Sequence, residues 1–312
     1  MACRGFSLMS GGLDSQLAVK VLQRAGAEVE AVCFESAFFK ADEARKAAAA
    51  LGVPLNVVDF TDDIIALVEA PPHGFGGAMN PCIDCHATMI RRAGELMRER
   101  GFDFVATGEV QGQRPMSQNR QSLRTVEKAS GLEGRLVRPM SAKLLEPTIP
   151  EQEGLLDRER LLDISGRSRD RQIALAAEFG IVDYPSPAGG CKLTEDAFAR
   201  KLADLRDHEG LRCADGSVNR TLVDLLTVGR RFRLPDGSGV LLGRDRTENE
   251  RLRQVAAANA AMTLVVDCSV PGPTALVPAL KSAEDLEMTR EIVRRWSRGG
   301  TGRERFQGYQ IV

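Results

Sequence analysis

The chain has 312 residues, 43% of them hydrophobic and 27% charged, with a formal net charge of −1. That length exceeds what one hydrophobic core serves, so two domains are expected, and no apolar run reaches the roughly 20 residues of a membrane span. Seven cysteines, behind an N-terminus without signal-peptide architecture, argue for a reducing cytoplasmic setting in which some thiols bind metal or act chemically rather than form a disulfide framework.

The first predicted element is an apolar strand containing Phe6, Leu8 and Met9, which runs into the stretch SGGLDS (10–15). Leu13, Leu17, Val21 and Leu22 then recur at helical spacing. A glycine turn between a strand and a helix presents N–H groups to an anion and lets oxygens approach the backbone, so a phosphate-binding loop is expected. No Gly-Lys-Ser/Thr follows, which excludes the lysine-containing P-loop. The plain alternative is an ordinary turn capped by Ser10 or Asp14.

Further along, 29–35 reads as a strand, 41–52 as a helix ending at Gly52, and 55–60 as a third strand. Residues 62–68 look helical and 70–81 form a Pro- and Gly-rich loop. A helix over 86–101, a strand over 102–109 and another over 135–140 follow. Such alternation predicts an α/β fold with a doubly wound parallel sheet, whose ligands bind where the winding reverses. The polar stretch GLRCADGS (210–217) is the expected boundary between domains 1–212 and 218–312. Beyond it come a helix ended by Gly229, a hairpin around PDGS (235–238), a helix capped by Thr247, strands over 262–268 and 274–278, and a basic helix. The second domain is therefore a smaller α+β module.

The near-neutral net charge speaks against nucleic acid, but the charges are unevenly spread. Arg114, Arg120, Arg124, Lys128, Arg135, Arg138 and Lys143 face only Glu127 and Glu133 in their segment, and Arg290, Arg294, Arg295, Arg298, Arg303 and Arg305 crowd the other end. Local basic surface can hold a phosphate backbone on a neutral molecule. Solvated helix faces are the alternative.

Among the cysteines, Cys82 and Cys85 have the spacing that turns two thiols to one metal, and they follow Pro81 just before a helix, whose N-terminus lowers thiol pKa. Cys191 follows SPAGG, where two glycines allow close backbone approach. These three are open to several uses: a zinc site with His86 or Cys213 as fourth ligand, a disulfide or persulfide between Cys191 and one of the pair, or an iron–sulfur cluster. CIDCH also fits c-type haem attachment, which the missing export signal excludes. Cys3, Cys33 and Cys268 lie in apolar runs and are expected in the core. His73 and His208 have no partner visible in the sequence.

SGGLDS resembles the signature of the PP-loop ATP pyrophosphatase superfamily, although Gln16 stands where the pattern has a second Ser. NPCIDC (80–85) and VATGE (105–109) resemble elements of tRNA-specific 2-thiouridylases, with Glu109 in place of a His. GEVQGQRPMSQ, LLDISGRSRDRQ and YPSPAGGCKLT resemble thiouridylase-like proteins, and 229–274 resembles the RNA-binding module of NFACT proteins. The resemblance implies ATP-dependent tRNA thiolation, in which a uridine carbonyl oxygen is adenylylated and then replaced by sulfur. It implies phosphate binding by Ser10, Gly11, Gly12 and Ser15, nucleotide contacts at Thr107 and Gly108, and Mg²⁺ on Asp14. Asp14, Cys82 and Cys191 would be catalytic, and Cys82, Cys85 and Cys191 would hold a [4Fe–4S] cluster with one open iron for sulfide. Arg230, Arg231, Arg233, Arg244 and the terminal arginines would meet tRNA phosphates. A sulfur donor is a required partner, a membrane is not, and a homodimer is left open. A small-molecule sulfur transferase, an amide-forming enzyme of the same superfamily, and a non-catalytic RNA-binding protein are the alternatives.

Overall fold

Strand β1 (Cys3–Leu8) carries Phe6 and Ser7 fully buried and pairs with parallel neighbours on both sides. A strand covered on both faces needs a nearly continuous apolar run. The computed structural model describes residues 3–114, 117–186, 191–267, 269–300 and 309–312. After β1 come α1 (Leu13–Arg24), β2 (Ala27–Glu35), α2 (Asp42–Leu51), β3 (Leu55–Asp59) and α3 (Thr61–Glu69). Then follow α4 (Cys82–Arg100), β4 (Phe104–Ala106), α5 (Arg120–Ser130), β5 (Leu136–Val137), α6 (Ile149–Gln152) and α7 (Asp170–Glu178).

The five strands form one parallel sheet in the order β3-β2-β1-β4-β5. The chain winds outward from β1 to β3, then returns past β1 to build β4 and β5. The winding therefore reverses between β1 and β4, and the loops leaving these two strands flank the crevice where such sheets bind ligands. On one face the core joins Leu13, Leu17 and Leu22 of α1 to Val29, Phe104 and Val137. Helix α2 buries Ala44, Ala47, Ala48 and Leu51, mostly small side chains that let its backbone come near the sheet.

The chain divides into two compact units, Met1–Cys191 and Lys192–Val312. The second contains α8 (Asp196–His208), α9 (Arg220–Leu225), β6 (Arg230–Arg233), β7 (Gly239–Leu242), α10 (Arg246–Ala258), β8 (Thr263–Val266), β9 (Thr274–Val277), α11 (Ala283–Trp296) and β10 (Gln310–Ile311). Its sheet is antiparallel, in the order β10-β6-β7-β9-β8, and its core gathers Phe232, Val240, Leu242, Ile292 and Val293.

Several expectations change. The division falls before α8 rather than at 210–217, because Asp204 of α8 and the following Glu209 pair with Arg231 and Arg233 of β6. Helix α4 begins at Cys82, so both thiols stand in its first turn rather than in a preceding loop. Helix α10 is capped by Asp245, whose carboxylate accepts from the Glu248 N–H, not by Thr247. Helices α5, α7 and α8 lie in polar stretches where no helix was expected. Among the described residues no helix is long and apolar enough to cross a membrane. Cys268, Arg303, Arg305 and the two glycines before Cys191 lie outside the described residues.

Candidate nucleotide and thiol site

The turn after β1 is shaped for an anion. Gly11 has φ 84°, a left-handed conformation, and a Cβ there would lie 2.5 Å from the Glu43 backbone of α2. Only glycine meets both conditions. Gly12 is the N-cap of α1 and no side chain caps the helix, so the Ser10 or Asp14 cap does not form and the first-turn N–H groups stay available. The Ser15 hydroxyl donates to the Gly12 carbonyl at 2.7 Å and bridges weakly to Ser10, 3.4 Å away.

The loop leaving β4 presses on the same turn. A Cβ on Gly108 would lie 2.7 Å from the backbone of Asp14 and Ser15. Gly108 thus permits a backbone contact beside the phosphate turn, while the Thr107 hydroxyl is engaged by Glu109 at 3.0 Å. Glu109 is buried with Arg138, whose Nε donates to it at 3.0 Å, and His86 Nδ1 lies 3.4 Å from its other oxygen. Burial alone would raise this carboxyl, but the Arg138 charge, aided by His86, holds it at about 2. Arg138 also donates to Glu127 and to the Leu123 carbonyl. It is an internal counterion and leaves the proposed basic surface.

Asp14 sits at the centre of a polar network built from distant stretches. Its Oδ2 accepts from Gln113 Nε2 at 2.8 Å and from Arg169 Nη2 at 3.0 Å, and Gln172 Nε2 donates to Gln113 at 3.2 Å. Asp14 Oδ1, Arg169 Nε and Gln172 Oε1 are buried without hydrogen-bond partners among the described residues. An unpartnered buried carboxylate oxygen is costly alone and suits a cation such as Mg²⁺. Gln113, Arg169 and Gln172 lie within stretches of recognisable pattern, yet nothing in their spacing ties them to Asp14. Gln16, the departure from the superfamily pattern, is also used: its amide donates to the Gly11 carbonyl at 2.8 Å and to the Asp183 carbonyl at 3.1 Å, linking the turn to the segment that leads toward Cys191.

Cys82 and Cys191 both lie near enough to Cys85 to act on it electrostatically, and none of the three is disulfide-bonded. Burial pushes Cys85 far above the usual thiol range, and the neighbouring Cys191 and Cys82 add to the rise. Cys82 is raised by burial as well, against the opposing pull of Ser117 and Arg114. Burial therefore disfavours the thiolate that the helix N-terminus was expected to favour. Among the described residues no three His, Cys, Asp or Glu side chains are drawn into a metal-holding arrangement. Of the two other candidate ligands, His86 meets Glu109, and Cys213 is an exposed residue of the second unit. His73 finds Asp84 at 2.6 Å and His208 finds Asp204 at 3.6 Å. Cys3 and Cys33 are buried in β1 and β2.

In the second unit, Arg231 and Arg233 are buried and held by Asp204 and Glu209, so they are not available to phosphates. Arg244 pairs with Glu248, Arg290 with Glu287 and Arg295 with Glu291. Arg294 and Arg298 are exposed.

An uncapped glycine turn at the reversal point of a parallel sheet gives the first unit an α/β fold with a turn shaped for an anion, and the chain continues into a separate antiparallel module. Residues 1–142 match the family model of the thiamine biosynthesis protein ThiI, and residues 229–305 match that of the NFACT protein RNA binding domain. Over 121 residues the chain is 36% identical to the tRNA-specific 2-thiouridylase MnmA of Chloroflexus aggregans, covering 32% of this chain and 33% of that protein. It is 26% identical over 287 residues to MnmA of Methylorubrum extorquens, covering 81% and 70% respectively. A probable tRNA sulfurtransferase of Caldanaerobacter subterraneus subsp. tengcongensis is 32% identical over 115 residues, covering 34% and 29%. The chain thus spans about a third of the length of the first of these relatives.

Proposed function

We propose that this chain thiolates tRNA in the cytoplasm, using ATP to activate a uridine carbonyl. The observation that carries the proposal is Asp14, seated at the uncapped glycine turn with one oxygen buried and unpartnered and the other on Arg169. The similarities to the tRNA-specific 2-thiouridylase MnmA and to a probable tRNA sulfurtransferase supply the substrate class. A carbonyl oxygen is a poor leaving group, so it first attacks the α-phosphorus of ATP and releases pyrophosphate; sulfur then adds at the carbon and AMP departs. The N–H groups of Gly11, Gly12 and the first turn of α1, with the hydroxyls of Ser10 and Ser15, would hold the phosphates, and Thr107 and Gly108 would border the nucleotide. Asp14 would hold Mg²⁺, which supplies charge neutralisation on the departing pyrophosphate. Arg169, the counterion of Asp14 in this structure, would turn to a phosphate once the carboxylate has a cation. Cys82, Cys85 and Cys191 would hold a [4Fe–4S] cluster, which supplies an open iron for sulfide brought by a donor. The similarity to thiouridylases carries this assignment, since among the described residues the three thiols are not drawn into a metal-holding arrangement.

Asp14→Asn should keep the fold and nucleotide binding but abolish tRNA-dependent pyrophosphate release. Mass spectrometry of tRNA nucleosides from a strain lacking the gene should show a thiouridine lost, then restored by the wild type and not by the variant. Unchanged thiouridine content would overturn the proposal, and pyrophosphate release that ignores RNA would favour a small-molecule sulfur transferase.

A further inference from the structure

A cavity of about 520 Å³ lies wholly within the second unit, between the start of β6, the first two turns of α10 and the end of α11. Its size falls within the roughly 300–1,000 Å³ of pockets that hold small ligands. Its walls carry Arg230, Arg244, Arg246 and Arg253 against Asp245 and Glu250. Asp245 is spent as the cap of α10, and Arg244 is held by Glu248. Arg246 and Arg253 make no ion pair among the described residues, and Arg253 reaches only the Thr274 hydroxyl at 3.3 Å. The pocket therefore has a surplus of cationic donors.

Its floor is aromatic. The Arg230 guanidinium lies 4.2 Å from the ring centroid of Trp296, whose edge rests on Phe232 at 6.1 Å. The Trp296 indole nitrogen is buried without a hydrogen-bond partner among the described residues. A flat guanidinium stacked on an indole presents a planar cationic face, and unpaired RNA bases stack on such faces while their phosphates are met by arginines. A base inside a duplex has both faces covered and cannot use it.

We propose that this pocket takes one unpaired nucleotide of RNA, with its base on the Arg230–Trp296 stack and its flanking phosphates on Arg246 and Arg253. The proposal rests on the second unit being an RNA-binding module and goes beyond it by giving the module a single-stranded contact point. Arg231 and Arg233, assigned to phosphate from the sequence, are replaced in that role by Arg246 and Arg253 of α10.

Trp296 is the only tryptophan in the chain, so its fluorescence reports on this pocket. Titration of the full-length protein with a short single-stranded oligouridylate should quench the emission, while a duplex of equal length should not. Arg230→Ala should weaken oligouridylate binding about tenfold, the loss of one stacked base. Arg246→Ala with Arg253→Ala should weaken it and flatten the logarithmic salt dependence by about one to two units. Thermal melts matching the wild type show that the variants are folded. If the labelled oligomer binds by anisotropy but the Trp296 emission does not move and Arg230→Ala binds normally, the pocket assignment is wrong and the RNA-binding module stands. If no RNA binds, both fall. If uridine 5′-monophosphate quenches as well as the oligomer at equal nucleotide concentration, the site takes free nucleotide and the RNA assignment is overturned.

Discussion

Glu109 shows how one residue can depart from a family pattern and still be fixed by physics. It stands where the thiouridylase pattern has His, and the fold surrounds it with Arg138, His86 and the Thr107 hydroxyl. Its carboxyl is held at about 2, below the ordinary 4.5. A depressed carboxyl stabilises the fold above its unfolded pKa, and this contribution fades as the pH falls from about 4.5 toward 2. Glu109→Gln leaves Arg138 with Glu127 alone and should cost about 3 kcal/mol at neutral pH. Denaturant melts of both proteins should show the gap narrowing between about pH 4.5 and 2; a gap independent of pH would place the ion pair's contribution elsewhere. At this scale the sequence marks Asp14 through its glycine turn. It does not mark Arg169, 155 residues away, because an ion pair made by tertiary contact leaves no local spacing to read.

Among the elements, those that bury a clear apolar face were legible. Helices α1 and α2 and strands β1 to β3 carry their periodicity openly, and the parallel, doubly wound sheet follows from their alternation. Helix α5 reads as a basic surface in the sequence because Arg120, Arg124 and Lys128 dominate its pattern; only Ser122, Leu123, Val126 and Ser130 turn inward. Strands β4 and β5 fall within the strands expected over 102–109 and 135–140 but are shorter, Phe104–Ala106 and Leu136–Val137. Gly108 belongs to the same scale, since its meaning depends on where β4 ends relative to α1. Gly108→Ala would drive a methyl to 2.7 Å from the Asp14 and Ser15 backbone. Overpacking of this kind costs roughly 1–3 kcal/mol, and here the shift falls on the phosphate turn. We expect ATP affinity to drop more than thermal stability implies; calorimetric titration with wild-type affinity would show that the β4 loop does not shape the turn.

For the whole molecule, the near-neutral net charge conceals a division of labour among arginines. Arg138, Arg231 and Arg233 are buried counterions, whereas those around Trp296 line an open cavity, and composition treats both groups alike. The thiols pose the same problem over a longer range. Cys82 and Cys85 share one helical turn, and Cys191 comes from the end of the first unit. Their mutual proximity arises only when that unit is folded. Burial and the neighbouring thiols raise Cys85, and metal–sulfur bonds of a cluster would offset the cost of deprotonating it. Protein purified without oxygen should therefore be brown, and alanine at Cys82, Cys85 or Cys191 should remove colour and thiolation together. Iron chelation should abolish tRNA thiolation while leaving ATP binding intact. The persulfide route predicts a colourless, active enzyme in which Cys191 and one member of the pair are essential and the other is tolerant. Full activity in iron-free protein would decide for that route.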